Sequence, residues 1–112
     1  MMDSMIRGFF QGFIKIHILH HASTDKIYGL WFIEELKRHG YNISPGTLYP
    51  IFHTLEQDGL LASDEKNVNG KIRKYYKTTS KGKSTLKAAT TKVQELLDEL
   101  LEEKKNKRLR RK

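Results

Sequence analysis

No cysteine occurs in this chain of 112 residues, which excludes disulfides and thiolate metal sites and fits a reducing cytoplasm. Proline is almost as scarce: both copies, Pro45 and Pro50, fall within one short segment. No stretch is long and apolar enough to span a bilayer. The N-terminus is a poor signal peptide, because Asp3 sits where basic residues belong and Arg7, Gln11 and Lys15 break the apolar run. A glycine-rich phosphate loop, a nucleophile–histidine motif and a convincing metal cluster are all missing. Paired carboxylates gather chiefly among many like charges on the outer face of the last predicted helix; Glu34-Glu35 and Asp64-Glu65 are the other adjacent pairs. These gaps argue against an enzyme and give no reason to expect a cofactor or a metal. The length suits one domain with a limited core, and such chains often gain stability by pairing with a copy of themselves.

Acidic residues are also missing, from two stretches. The formal net charge is +8, but seven of the 21 basic residues lie in the acid-free run Lys104 to Lys112, leaving 14 basic against 13 acidic in the body. Within the body, Lys66, Lys71, Arg73, Lys74, Lys77, Lys81 and Lys83 form a second run with no acid between them. The basic character is local, as expected of a surface that meets phosphates.

What is present reads as helices around one hairpin. Ser4 to about His21 predicts a first helix, with Ile6, Phe9, Phe10, Phe13, Ile14 and Leu19 on a broad apolar face, although Phe13 to Leu19 also alternates like a strand. A second helix spans Tyr28 to His39, with Phe32, Ile33 and Leu36 facing inward and Gly40 ending it. The link to Ser44 is short enough for a helix-turn-helix, with Ile43 at the corner. Leu60 to Lys66 and Ile72 to Thr79 read as strands around Asn69-Gly70, the favoured two-residue hairpin turn. Thr79 can cap a last helix from Ser80 to Lys105, with a seam of Leu86, Ala89, Val93, Leu96, Leu97, Leu100 and Leu101. The fold class expected is mainly α with a small β-hairpin, a winged helix-turn-helix over 1–79 plus a C-terminal dimerisation helix over 80–105. The basic tail, 106–112, is expected to be disordered.

The segment Ser44 to Leu61 is the most informative. Ser44 is a good N-cap, Pro45 fits the first helical position, and Leu48, Ile51 or Phe52, and Leu55 make one apolar stripe. Thr47, Tyr49, His53 and Thr54 fall off that stripe, and Gly59 permits a left-handed helix end. A short helix with a polar outer face, preceded by a second helix, suits a DNA major groove. The candidate DNA contacts are Ser44, Gly46, Thr47, Tyr49, Pro50 and His53 on this helix, with Asn69, Gly70, Lys71, Arg73 and Lys74 on the hairpin. Phe9 and Phe13 of the first helix, with Leu86, Val93, Leu97 and Leu100, are the candidate homodimer interface.

Gly46-Thr-Leu-Tyr-Pro-Ile-Phe-His-Thr-Leu-Glu, Asp58-Gly-Leu-Leu and Arg73-Lys-Tyr-Tyr-Lys-Thr-Thr-Ser-Lys-Gly82 together resemble the PadR-type winged-helix transcriptional regulators, over roughly residues 5 to 103. Gly29 after Tyr28 also falls where that family has a glycine. The resemblance implies a homodimeric repressor, two recognition helices in successive major grooves of a pseudo-palindromic operator, and wings on flanking minor grooves or phosphates. It also implies release by a small aromatic or drug-like effector near the dimer interface. Leu30, Thr54 and Thr78 depart from the family pattern: Thr54 removes a basic position, and Thr78 predicts looser strand packing. The tail from Lys104 lies outside the pattern.

Other readings compete. His17 and His21 can share a helix face and chelate a metal, but two ligands without a nearby carboxylate or cysteine make a weak site. Trp31 suits packing better than an effector. An architectural protein coating DNA without sequence preference, and a winged helix used as a protein-interaction module, remain as rivals.

Overall fold

A computed structural model describes residues 3–110, with side chains as far as Asn106. The first helix, α1 (Ser4–Thr24), begins where the Asp3 carboxylate accepts from the Ile6 N–H at 2.9 Å. The strand-like alternation near its middle does not prevail. Ile14, Ile18, Leu19 and Ala22 are its buried residues, at helical spacing. Helix α2 (Gly29–Arg38) buries Phe32 and Leu36, and half-buried Ile43 fills the corner before α3 (Pro45–Gln57).

Strands β1 (Leu61–Val68) and β2 (Lys71–Thr78) pair antiparallel, from Leu61 opposite Thr78 to Val68 opposite Lys71. The turn puts Asn69 at φ 53° and Gly70 at φ 84°, the two left-handed positions a tight hairpin requires. A lone hairpin is marginal in water. This one gains a further rung, because Ile27 and Tyr76 exchange both backbone hydrogen bonds, at 3.0 and 2.7 Å. The hairpin is thereby tied to the segment that opens α2.

Phe52 joins the layers, meeting Phe32 edge-on at 6.0 Å and Tyr76 at 4.5 Å between ring centroids. Ile14, Ile18, Leu36 and Leu48 complete the fully buried set, each such side chain stabilising the fold by about 1.5–3 kcal/mol. Thr78 corrects the expectation of loose packing. It is buried, and its hydroxyl donates to the Leu19 carbonyl at 2.8 Å. A hydroxyl so satisfied costs little in an apolar slot.

Helix α4 (Ser80–Arg110) starts at Thr79, whose hydroxyl accepts from the Gly82 N–H at 3.0 Å. It packs on α1 and β2 near its start; every described side chain from Thr91 to Asn106 is exposed. The helix runs past Lys105 to Arg110. Lysine and arginine are good helix formers, and cations near a helix C-terminus are favoured by its dipole. Arg111 and Lys112, the end of the basic tail, lie outside the described residues. No helix among the described residues is long and apolar enough to cross a membrane.

Candidate nucleic-acid interface

The third helix turns out as its residues dictate. The Ser44 hydroxyl accepts from the Thr47 N–H at 3.3 Å and donates to the Thr47 hydroxyl at 3.1 Å. Leu48, Phe52 and Leu55 are buried; Thr47, Tyr49, Pro50, His53 and Thr54 are exposed. Pro50 has no N–H for the Gly46 carbonyl, so one rung of the helix is missing beside exposed Gly46. A Cβ on Gly46 would meet nothing closer than the Ser44 hydroxyl, 3.9 Å away. Packing within the chain therefore does not demand this glycine; it leaves room for close approach from outside.

Tyr49 is positioned from below. A Cβ on Gly29 would come within 2.3 Å of the Tyr49 ring, so the bare backbone at the start of α2 is the seat on which that ring rests. The side chain remains 46% exposed. Tyr49 and His53 form one wall of an open groove of about 780 Å³, with Tyr28, Lys71 and Arg73 on the others. This groove brings the two predicted halves of the site, helix and wing, onto one surface.

The wing is less uniformly basic in space than in sequence. The β1–β2 register sets Glu65 opposite Lys74 and Asp64 opposite Tyr75. Lys74 forms an ion pair with Glu56 of α3 at 3.1 Å. The Ser63 hydroxyl also donates to Glu56; it is the first cause, ahead of Lys74, holding that carboxyl below its usual range. The hydrogen bond to Glu56 in turn raises the Lys74 ammonium. Lys74 thus links the wing to α3. Lys81 is also engaged, donating to the Asp58 carbonyl at 2.8 Å, where the C-terminus of α3 favours a cation. Towards the tip, Lys66 faces Arg73 across the strands, and Lys71 is exposed beside Asn69 and Gly70. The sequence pattern pointed to Arg73 and Lys74 alike; their contacts separate them. Tyr28 and Glu56 were missed, because their roles arise from partners distant in sequence.

The apolar candidates divide similarly. Phe9, Val93, Leu97 and Leu100 are exposed, at 68, 53, 46 and 54%. Phe13 and Leu86 are half-buried against the chain's own core. Phe13 lies in an aromatic ladder with Phe9, Phe10 and Tyr41. Trp31 packs edge-on against His21, at 5.5 Å.

His17 and His21 lie along one face of α1, ring centroids 6.0 Å apart, and among the described residues no three ligand side chains gather around a common point. Burial, then the neighbouring histidines (His21 for one ring, His20 for the other), lowers both pKa values from the ordinary 6.5; Glu35 opposes the shift, while His39 and, for His21, Arg38 add to it. The folded protein therefore binds these protons less readily than the unfolded chain. Their contribution to stability is full above about pH 6.5 and is lost as the pH falls through and below that value. Thermal melts should show a falling Tm on acidification across this window. A protein carrying His17→Gln and His21→Gln should show a flatter profile, and an unchanged slope would discount the pair.

Residues 18–88 match the transcriptional regulator PadR-like family. The chain is 44% identical over 96 residues to the transcriptional regulator Rv3488 of Mycobacterium tuberculosis, covering 86% of this chain and 90% of that protein. A PadR family transcriptional regulator from Eggerthella lenta superposes with a TM-score of 0.76 at 34% identity, covering 87% of this chain and 86% of that one. A PadR-like transcription factor from Bacteroides fragilis does so with a TM-score of 0.78 at 29% identity, covering 88% and 96%. With its capped third helix, two-stranded wing and family match, this chain belongs to the PadR-like transcriptional regulators, a family of DNA-binding winged-helix proteins.

Proposed function

We propose that the chain acts in the cytoplasm as a homodimeric repressor. Two copies of α3 enter successive major grooves of a pseudo-palindromic operator, and the wings rest on the flanking backbone. The observation that carries this reading is the separation of two surfaces. The polar outer side of α3 and the wing tip share one groove, while α4 presents an exposed stripe of Val93, Leu96, Leu97, Leu100 and Leu101. Contiguous apolar exposure on that scale marks an interaction site. A small aromatic effector near the dimer interface belongs to the same proposal; the ring ladder of Phe9, Phe13 and Tyr41 on and beside α1 supports it.

Selection of bound sequences from random duplexes, followed by footprinting, tests this reading. One protected palindrome supports a regulator of a defined site. Uniform protection favours the architectural rival, and failure to bind any duplex at low salt favours a protein-interaction module. In the same assay, Arg73→Ala combined with Lys74→Ala should weaken binding to every sequence and reduce the salt slope by about one. Most of that loss should come from Arg73, since Lys74 is engaged by Glu56.

A further inference from the structure

The opening residues of α2 hold both DNA-facing elements. Gly29 seats the Tyr49 ring of the recognition helix. Its neighbour Tyr28 meets the wing: the Arg73 guanidinium carbon lies 4.1 Å from the centroid of the Tyr28 ring. Tyr75 meets Tyr28 edge-on at 5.4 Å, and Lys66 caps the Tyr75 ring at 5.7 Å. The backbone rung between Ile27 and Tyr76 fixes the register of this cluster. Tyr28 makes no side-chain capping bond to α2, so helix initiation does not account for the ring.

Stacking on an aromatic face restricts an arginine without consuming its donors. The ring lies against the guanidinium carbon, a side-chain hydrogen bond with Tyr75 engages the ion as well, and the remaining N–H groups stay available along its edge. A free arginine on a wing gives up side-chain conformational entropy when it meets a phosphate; a stacked one has already lost much of that freedom. Arg73 also lines the groove that holds Tyr49 and His53, so its edge and the exposed side of α3 address the same ligand.

We propose that Tyr28 is a positioning residue for DNA binding, holding Arg73 edge-on for a backbone phosphate in register with α3. The proposal rests on the reading of the α3–wing groove as the DNA face. It assigns Tyr28 no contact with a base. Its effect passes through Arg73, and the ring rather than the hydroxyl carries it.

Fluorescence anisotropy with the full-length protein and a mixed-sequence synthetic duplex, across a salt series, provides the test. Arg73→Ala should weaken binding about tenfold and lower the salt slope by about one. Tyr28→Leu should weaken it about fivefold, the scale of one cation–π contact, and lower the slope in the same direction. Tyr28→Phe should bind as the parent does. In an Arg73→Ala background, Tyr28→Leu should add nothing further. A merely structural role for Tyr28 predicts an equal additional loss in both backgrounds, and that result would overturn the proposal. So would a Tyr28→Leu protein with parental affinity and slope while Arg73→Ala is impaired; there the groove reading survives and the positioning role alone fails. If Arg73→Ala itself binds as the parent does, the wing leaves the interface and both readings fail together. A Tyr28→Leu protein that folds poorly leaves the test to Tyr28→Phe, whose failure to bind like the parent overturns the role assigned to the ring.

Discussion

Replacing Val93 and Leu97 with aspartate should leave a folded monomer that has lost operator binding. The winged body does not depend on these residues. Its core is Ile14, Ile18, Phe32, Leu36, Leu48 and Phe52, and Val93 and Leu97 stand 53% and 46% exposed on a part of α4 where every side chain faces solvent. In an isolated chain the double substitution would therefore cost almost nothing and would improve solubility. In a dimer built on the α4 stripe it places two carboxylates per copy among Leu96, Leu100 and Leu101. Each buried aliphatic side chain lost removes about 1.5–3 kcal/mol, and each carboxylate taken out of water without a partner costs several kcal/mol more. Loss of the dimer converts a two-headed grip into a single one, a change of about 10²- to 10⁴-fold in affinity for a palindrome. Light scattering and a cooperative thermal melt, lowered only by the lost pairing, would establish the folded monomer. A persisting dimer would move the interface elsewhere on the surface.

Local chemistry explains why much of this fold was legible from sequence. The Ser44 cap, the left-handed Asn69-Gly70 turn and the Leu48–Phe52–Leu55 stripe each depend on residues within a few positions of one another. Such features survive whatever the rest of the chain does. The extent of α4 is less legible: the acid-free run from Lys104 suggests disorder as a block of like charge, whereas intrinsic propensity and the helix dipole favour continuing through the lysines and arginines.

The candidate site was legible in outline but not in its pairings. Charge counting along Lys66 to Lys83 grouped Arg73 with Lys74, yet adjacent residues on a strand point to opposite faces. Lys74 shares a face with Tyr76 and reaches Glu56; Arg73 lies on the other face and reaches Tyr28. No periodicity in the sequence announces a partner supplied by another element. Gly29 and Gly82 are similar: their motif positions were visible, but the atoms that forbid a side chain belong to Tyr49 and Leu60.

Gly82→Ala should destabilise the protein despite the better helix propensity of alanine. In an open helix the exchange would gain about 1 kcal/mol. At this position a Cβ would stand 2.2 Å from the Leu60 carbonyl oxygen and 2.6 Å from Thr78 Cγ2. The nearer obstacle is backbone and cannot rotate away. It is also held in place, because the Thr79 N–H donates to that same Leu60 carbonyl at 3.1 Å and the Thr79 hydroxyl donates to the Gly59 carbonyl at 2.6 Å. Relief requires α4 to lift from the turn between α3 and β1, loosening both bonds and the packing of Leu86 on the core. Such overpacking costs about 1–3 kcal/mol, enough to outweigh the propensity gain and lower the Tm by several degrees. Gly46→Ala supplies the contrast, since its Cβ would meet only the Ser44 hydroxyl at an ordinary 3.9 Å contact, and its melt should match the parent or exceed it. The lifted helix would also tilt the α4 stripe, so Gly82→Ala should weaken dimerisation without touching it. A Gly82→Ala protein melting with or above the parent would mean that α4 does not approach the turn this closely.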